Sequence, residues 1–138
     1  MWWVFALLSA LFAALTAIFA KVGIKDINTD LATAIRTGII VILTWGIVLF
    51  GGHIAGISSL TKQNWTFLIL SGITTGLSWL FYFRALQIGQ VAQVASVDKL
   101  SVALAIVFSV VFLHEALTWK TAVGALLIIT GTIILVWK

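Results

Sequence analysis

Five long apolar stretches constrain the fold of this chain more than any other feature. They cover approximately residues 2–20, 31–50, 65–83, 94–113 and 119–137, with polar residues between them. A helix of about 20 apolar residues is long enough to cross the hydrocarbon core of a bilayer. We therefore predict five transmembrane helices. Each connecting segment is too short to fold separately, so we predict a single transmembrane domain over residues 1–138.

The composition indicates that lipid is the solvent of these stretches. Of the 138 residues, 62% are apolar and 9% are charged, whereas a soluble domain has about half apolar and about a quarter charged residues. Backbone groups in lipid must be hydrogen-bonded within the protein, which leaves helices or closed barrels. Runs such as ALAIVFSVVF lack the alternation of a barrel strand. The predicted fold class is an all-α, polytopic membrane protein.

Charge and cysteine content exclude several classes of function. The formal charge of +4 comes from basic residues spread singly along the chain, so no basic patch for nucleic acid is predicted. The chain has no cysteine, and His114 has no second histidine four residues later. We expect no metal and no cofactor. The usual motifs of an intramembrane enzyme are missing as well, so we do not expect an enzyme.

The positive charges predict an orientation for the five spans. The first twenty residues lack the basic start of a secretory signal and are interpreted as a retained first helix. Basic residues favour the cytoplasmic side, and with five spans this places the N-terminus outside and the C-terminus in the cytoplasm of a plasma or inner membrane. Insertion in both orientations remains open. One face has Lys21, Lys25, Arg84, Lys99, Lys138 and, just inside it, Arg36; the other has Lys62 and Lys120.

Two charged positions inside the spans are candidate substrate-binding residues. Arg36 interrupts the second span and is interpreted as a counter-charge for an anionic or zwitterionic substrate, or as a snorkelling arginine that pairs with Asp30 or Asp98. Asp98, adjacent to Lys99, is interpreted as a proton or substrate site, or as a carboxylate placed at a helix entry.

Aromatic and small residues in the spans give further candidates. Trp79, Tyr82 and Gln87 could line a substrate pocket or simply face lipid. Four glycines at helical spacing are interpreted as helix-packing positions, where backbones approach closely; they are Gly72, Gly76, Gly124 and Gly131.

The C-terminal half of the chain, FRALQIGQVAQVASVDKLSVALAIVFSVVFLHEALTWKTAVGALLIITGTIIL, resembles the EamA-type half-unit of the drug/metabolite transporter superfamily. The matching elements are Ala85 and Leu86 after an aromatic helix, a short polar link, a helix that ends in leucine-x-glutamate, and a last helix with Gly124 near its start and Gly131 near its end. The resemblance extends over all five spans.

The resemblance implies a transporter of small metabolites, amino acids or amphipathic compounds, which works by alternating access and acts as an exporter. Most members carry two inverted units in one chain, and this chain has one. The resemblance therefore implies an antiparallel homodimer, or a dimer with a related chain, that binds a small-molecule substrate. The predicted substrate-binding residues are Arg36, Trp79, Tyr82 and Asp98. The alternative is a non-transporting scaffold or subunit of a larger membrane complex.

Overall fold

The computed structural model describes residues 1–137, and within that range the chain contains helices and no strand. A 3-10 helix, His53–Ser59, precedes the third α-helix. The α-helices are α1 (Trp2–Gly23), α2 (Thr29–Phe50), α3 (Lys62–Ile88), α4 (Val91–Asp98), α5 (Leu100–Phe112) and α6 (Trp119–Val136).

The helices confirm the predicted all-α membrane fold. Within residues 1–137, five helical segments are long and apolar enough to cross a membrane, with α4 and α5 together forming the fourth, Val91–Phe112. The third segment is longer than predicted, because α3 has 27 residues and a helix of that length extends roughly 40 Å. That length exceeds the roughly 30 Å of hydrocarbon, so α3 is long enough to cross a bilayer with some tilt.

The chain forms two compact units, one of residues 20–87 and one of residues 1–19 with residues 88–137. The first unit contains α2, the 3-10 helix and almost all of α3. In the second, α6 packs against both α4 and α5.

In the unit of residues 20–87, side chains near two helix ends bind each other's carbonyl groups. The ammonium group of Lys21 donates to the carbonyl of Leu86 at 2.5 Å. The side-chain amide of Gln87 donates to the carbonyls of Ile24 and Ile27, at 3.2 and 2.9 Å. Carbonyls at the C-terminal end of a helix lack partners within the helix. These bonds supply such partners and join the end of α1 to the end of α3.

In the other unit, the fourth span is divided at Lys99, although the sequence predicts one continuous helix there. The backbone N–H of Lys99 donates to the carbonyl of Ser96, and that of Val102 donates to the carbonyl of Lys99, at 3.1 and 3.0 Å. Both bonds join residues three apart, so the helix tightens to a 3-10 turn at this point. The hydroxyl of Thr132 on α6 also donates to the carbonyl of Ser96 at 3.1 Å.

The turn between the fourth and fifth spans depends on His114. In this turn His114 adopts a left-handed backbone conformation, with φ of 55°. The carbonyl of Ser109, near the end of α5, accepts from the N–H groups of Leu113 and Glu115. The chain then enters α6 through Thr118, the N-cap, whose hydroxyl accepts the N–H of Thr121.

Candidate functional site

Arg36 lies well inside the second span. It is seven residues beyond Thr29, the first residue of α2, which corresponds to roughly 10 Å along the helix axis. Its neighbours on the buried face of α2 include Thr33, which is 6% exposed. The side chain of Arg36 itself is half-buried.

Two aromatic rings of α3 hold the guanidinium group. Its central carbon, Cζ, lies 4.6 Å from the ring centroid of Trp79 and 4.8 Å from that of Phe83. Because Trp79 and Phe83 are four residues apart, they lie on the same face of α3. Both distances are within the range of a cation–π interaction. The structure therefore brings Arg36 and Trp79 together, as the substrate-site hypothesis requires.

Phe83 also belongs to this site, although it was not among the predicted substrate-binding residues. Its ring is 2% exposed, and a phenylalanine within an apolar span gives no polar signal. The signal that could have found it is its spacing of four residues from Trp79.

Tyr82 lies beside the same cluster. Its ring meets that of Phe83 edge-on, with centroids 5.8 Å apart. Arg36, Trp79 and Tyr82 are thus near one another in one unit, together with Phe83.

The guanidinium group of Arg36 has no hydrogen-bond acceptor among the described residues. Its Nη1 atom is buried without a partner, and the predicted alternative, an ion pair with Asp30, does not form. The aromatic rings attract the face of the cation, but the N–H donors lie in its plane and remain unpaired. A hydrogen bond to a charged group contributes about 1.5–3 kcal/mol. The rings therefore hold a charged donor, Nη1, whose hydrogen bond is not made by any of the described residues.

Asp98 lies in the other unit and has a different partner. Its carboxylate is 3.5 Å from the ammonium group of Lys99. Asp98 ends α4 and stands two residues before the start of α5. Its role in substrate or proton binding stays a prediction.

Gln87, a candidate pocket residue, has a structural role near the end of α1. Gln87 bonds to the carbonyls near the end of α1, which gives it a role in holding that turn.

A Cβ atom added at any of the four helix-packing glycines would meet no atom within 4 Å in the part of the chain described. The close helix approach expected at these glycines stays a prediction. Residues 1–137 contain no group of three His, Cys, Asp or Glu side chains placed to hold a metal ion.

Comparison with known proteins covers nearly the whole chain. Residues 1–137 match the EamA-like transporter family. No solved structure matches the chain.

Two curated relatives are similar to it. An uncharacterized transporter in the cobO 3' region of Sinorhizobium sp. is 48% identical over 134 residues, which are 97% of this chain and 95% of that protein. The uncharacterized transporter YvbV of Bacillus subtilis (strain 168) is 39% identical over 64 residues, which are 46% of this chain and 21% of that protein. The first relative is thus about as long as this chain, and the second is more than twice as long.

Proposed function

Because this chain belongs to the EamA-like transporter family, we propose that it moves small metabolites, amino acids or amphipathic compounds across a membrane by alternating access. The family and the five apolar helical segments make it a multi-pass membrane transporter of the drug/metabolite transporter superfamily. The finer assignments concern the binding residues, the assembly and the direction of transport.

The observation that carries the proposal is the unpaired guanidinium of Arg36 inside an apolar span. Ionisable residues within a membrane are costly and usually mark a substrate or ion pathway. Arg36 is fixed by Trp79 and Phe83 and keeps a donor without an acceptor. We assign substrate binding to Arg36, Trp79 and Tyr82, and we keep Asp98 as a further substrate or proton site.

We propose that the working transporter is an antiparallel dimer, of two identical chains or of this chain with a related one. Transporters of this kind place the substrate site between two units of inverted topology. One chain supplies a single five-span unit, and an odd number of spans lets a second copy be inserted upside down. The greater length of YvbV is consistent with two units in one chain. We further propose that the transporter is an exporter in the plasma or inner membrane.

A transport assay with purified protein in proteoliposomes tests this function. Efflux of a panel of labelled metabolites and amino acids would be measured for the native chain and for Arg36→Ala and Asp98→Asn. We expect transport by the native chain and at least about a tenfold loss of rate for Arg36→Ala, because each tenfold corresponds to about 1.4 kcal/mol and a charge-assisted hydrogen bond is worth more than that.

Lys120→Gln is the matched control, since it removes an exposed positive charge in the first turn of α6 and should leave transport unchanged. Native rates in both Arg36→Ala and Asp98→Asn would remove these residues from the site. Absence of transport for every compound, with stable co-purification of another membrane protein, would favour the scaffold function instead.

A further inference from the structure

The charge around Arg36 is not balanced within its own unit. The acidic residues of the segment 20–87 are Asp26 and Asp30. Asp30 is in the first turn of α2, six residues before Arg36, which is roughly 9 Å along the helix axis. Neither forms an ion pair with the guanidinium, for which no partner carboxylate is found among the described residues. The site therefore carries one positive charge and a buried donor.

We infer that the ligand of this site is an organic monocarboxylate with an apolar or aromatic body, an inference that rests on the transport function proposed above. A carboxylate accepts two parallel hydrogen bonds from the fork of a guanidinium, and Arg is well suited to this recognition. Trp79 and Phe83 present apolar ring surface next to the charge. The two features together fit a ligand with one anionic end and an apolar remainder.

The same charge balance disfavours the other classes of ligand. A cationic ligand would add a second positive charge beside Arg36. A zwitterionic amino acid would do so with its ammonium group, because no acidic side chain adjoins the guanidinium. A phosphate ester can offer similar oxygen atoms, but its second negative charge would be left without a cation in an apolar span.

A ligand series with one common ring separates these classes. Binding to the full-length chain in nanodiscs at neutral pH would be measured for 3-phenylpropionate, 3-phenylpropanamide, phenylalanine, 2-phenylethylamine and phenyl phosphate. We expect 3-phenylpropionate to bind at least about tenfold more tightly than the amide, because only the carboxylate of this pair brings a negative charge and two acceptor oxygens to the guanidinium. The zwitterion, the cation and the phosphate should all bind more weakly than 3-phenylpropionate.

Variants show whether the preference comes from Arg36. Arg36→Gln should remove the preference for the carboxylate over the amide, and Arg36→Lys should reduce it, since lysine keeps the charge but not the planar fork. Arg84→Gln is the matched control: Arg84 is an exposed arginine of α3 in the same unit, and its removal should leave the preference unchanged. If Arg36→Gln does not fold, the Arg36→Lys variant and the ligand ranking of the native chain still decide the matter.

Several outcomes would overturn the inference. Equal binding of carboxylate and amide would do so, as would a preference that persists in Arg36→Gln or disappears in Arg84→Gln. Binding of phenylalanine or phenyl phosphate as tight as that of 3-phenylpropionate would assign the site to another class of ligand. Transport of neutral or cationic compounds without dependence on Arg36 would overturn the inference while the transport function stood.

Binding of 3-phenylpropionate that depends on Arg36, in a chain that transports nothing, would support the ligand class and contradict the transport function.

Discussion

At the level of single residues, Thr118 determines where the last span begins. Its backbone is extended, with φ of −85° and ψ of 153°, and its hydroxyl accepts the N–H of Thr121 at 3.2 Å. An N-terminal N–H of a helix has no acceptor within the helix, so this side chain satisfies a donor that would otherwise require water.

Replacement of Thr118 by alanine is expected to lower the free energy of unfolding by about 0.5–2 kcal/mol, the usual cost of removing a cap. Thr118→Ser keeps the hydroxyl and should lose much less. Unfolding in mixed detergent micelles would measure both effects, and amide exchange at Thr121 would show whether the loss is local. Equal losses for the alanine and serine variants would contradict the capping role.

Residue-level chemistry was predictable from the sequence where it depends on neighbours along the chain. The cap at Thr118 and the presence of Arg36 inside a span are of this kind. The partners of Arg36 were only partly predictable, because Trp79 and Phe83 lie more than 40 residues away in the sequence. A charge in an apolar run indicates that a partner is needed, but it does not indicate which helix supplies that partner.

At the level of elements, the divided fourth span shows how a membrane helix can be interrupted without proline or glycine. The break at Lys99 tightens the backbone into a 3-10 turn, and the carbonyl of Ser96 accepts both the N–H of Lys99 and the hydroxyl of Thr132. An apolar run of this length predicts one helix, so the span was predictable from the sequence but the interruption was not. Thr132, which binds the carbonyl at this interruption, lies 36 residues from Ser96 and belongs to another helix.

Thr132→Val is expected to destabilise the protein by roughly 0.5–1 kcal/mol more than Thr130→Val, in keeping with measured hydrogen bonds between membrane helices. Both hydroxyls donate to a carbonyl of their own helix, Thr132 to Ile128 and Thr130 to Leu126. Thr132 shares its one hydroxyl proton between Ile128 and the carbonyl of Ser96 on a different helix, so the difference between the two variants reports on that second contact. Unfolding of both variants in the same micelles measures the difference. Equal stability of the two would show that the bond to Ser96 contributes nothing.

At the level of the whole molecule, an antiparallel homodimer of five-span chains and the distribution of basic residues predict different membrane orientations. Five spans place the two ends of the chain on opposite sides of the membrane, and an antiparallel homodimer requires that the same chain insert in both orientations. The basic residues favour one orientation. Arg36 lies against aromatic rings inside a span, and Lys99 is paired with Asp98. These two charges therefore differ from the basic residues of loops, on which the orientation rule is based.

The orientation can be measured at the two ends of α3, because Ser58 precedes this spanning helix and Gln90 follows it. The chain has no cysteine, so Ser58→Cys and Gln90→Cys each introduce a unique thiol for a membrane-impermeant reagent. For the antiparallel homodimer, we expect each position to be labelled in part in intact cells and completely after permeabilisation, because half of the chains face each way. Labelling of Ser58→Cys alone in intact cells would establish the single orientation that the charges favour. In that case two copies of this chain cannot form the inverted pair, and the second unit must come from a related chain inserted the other way.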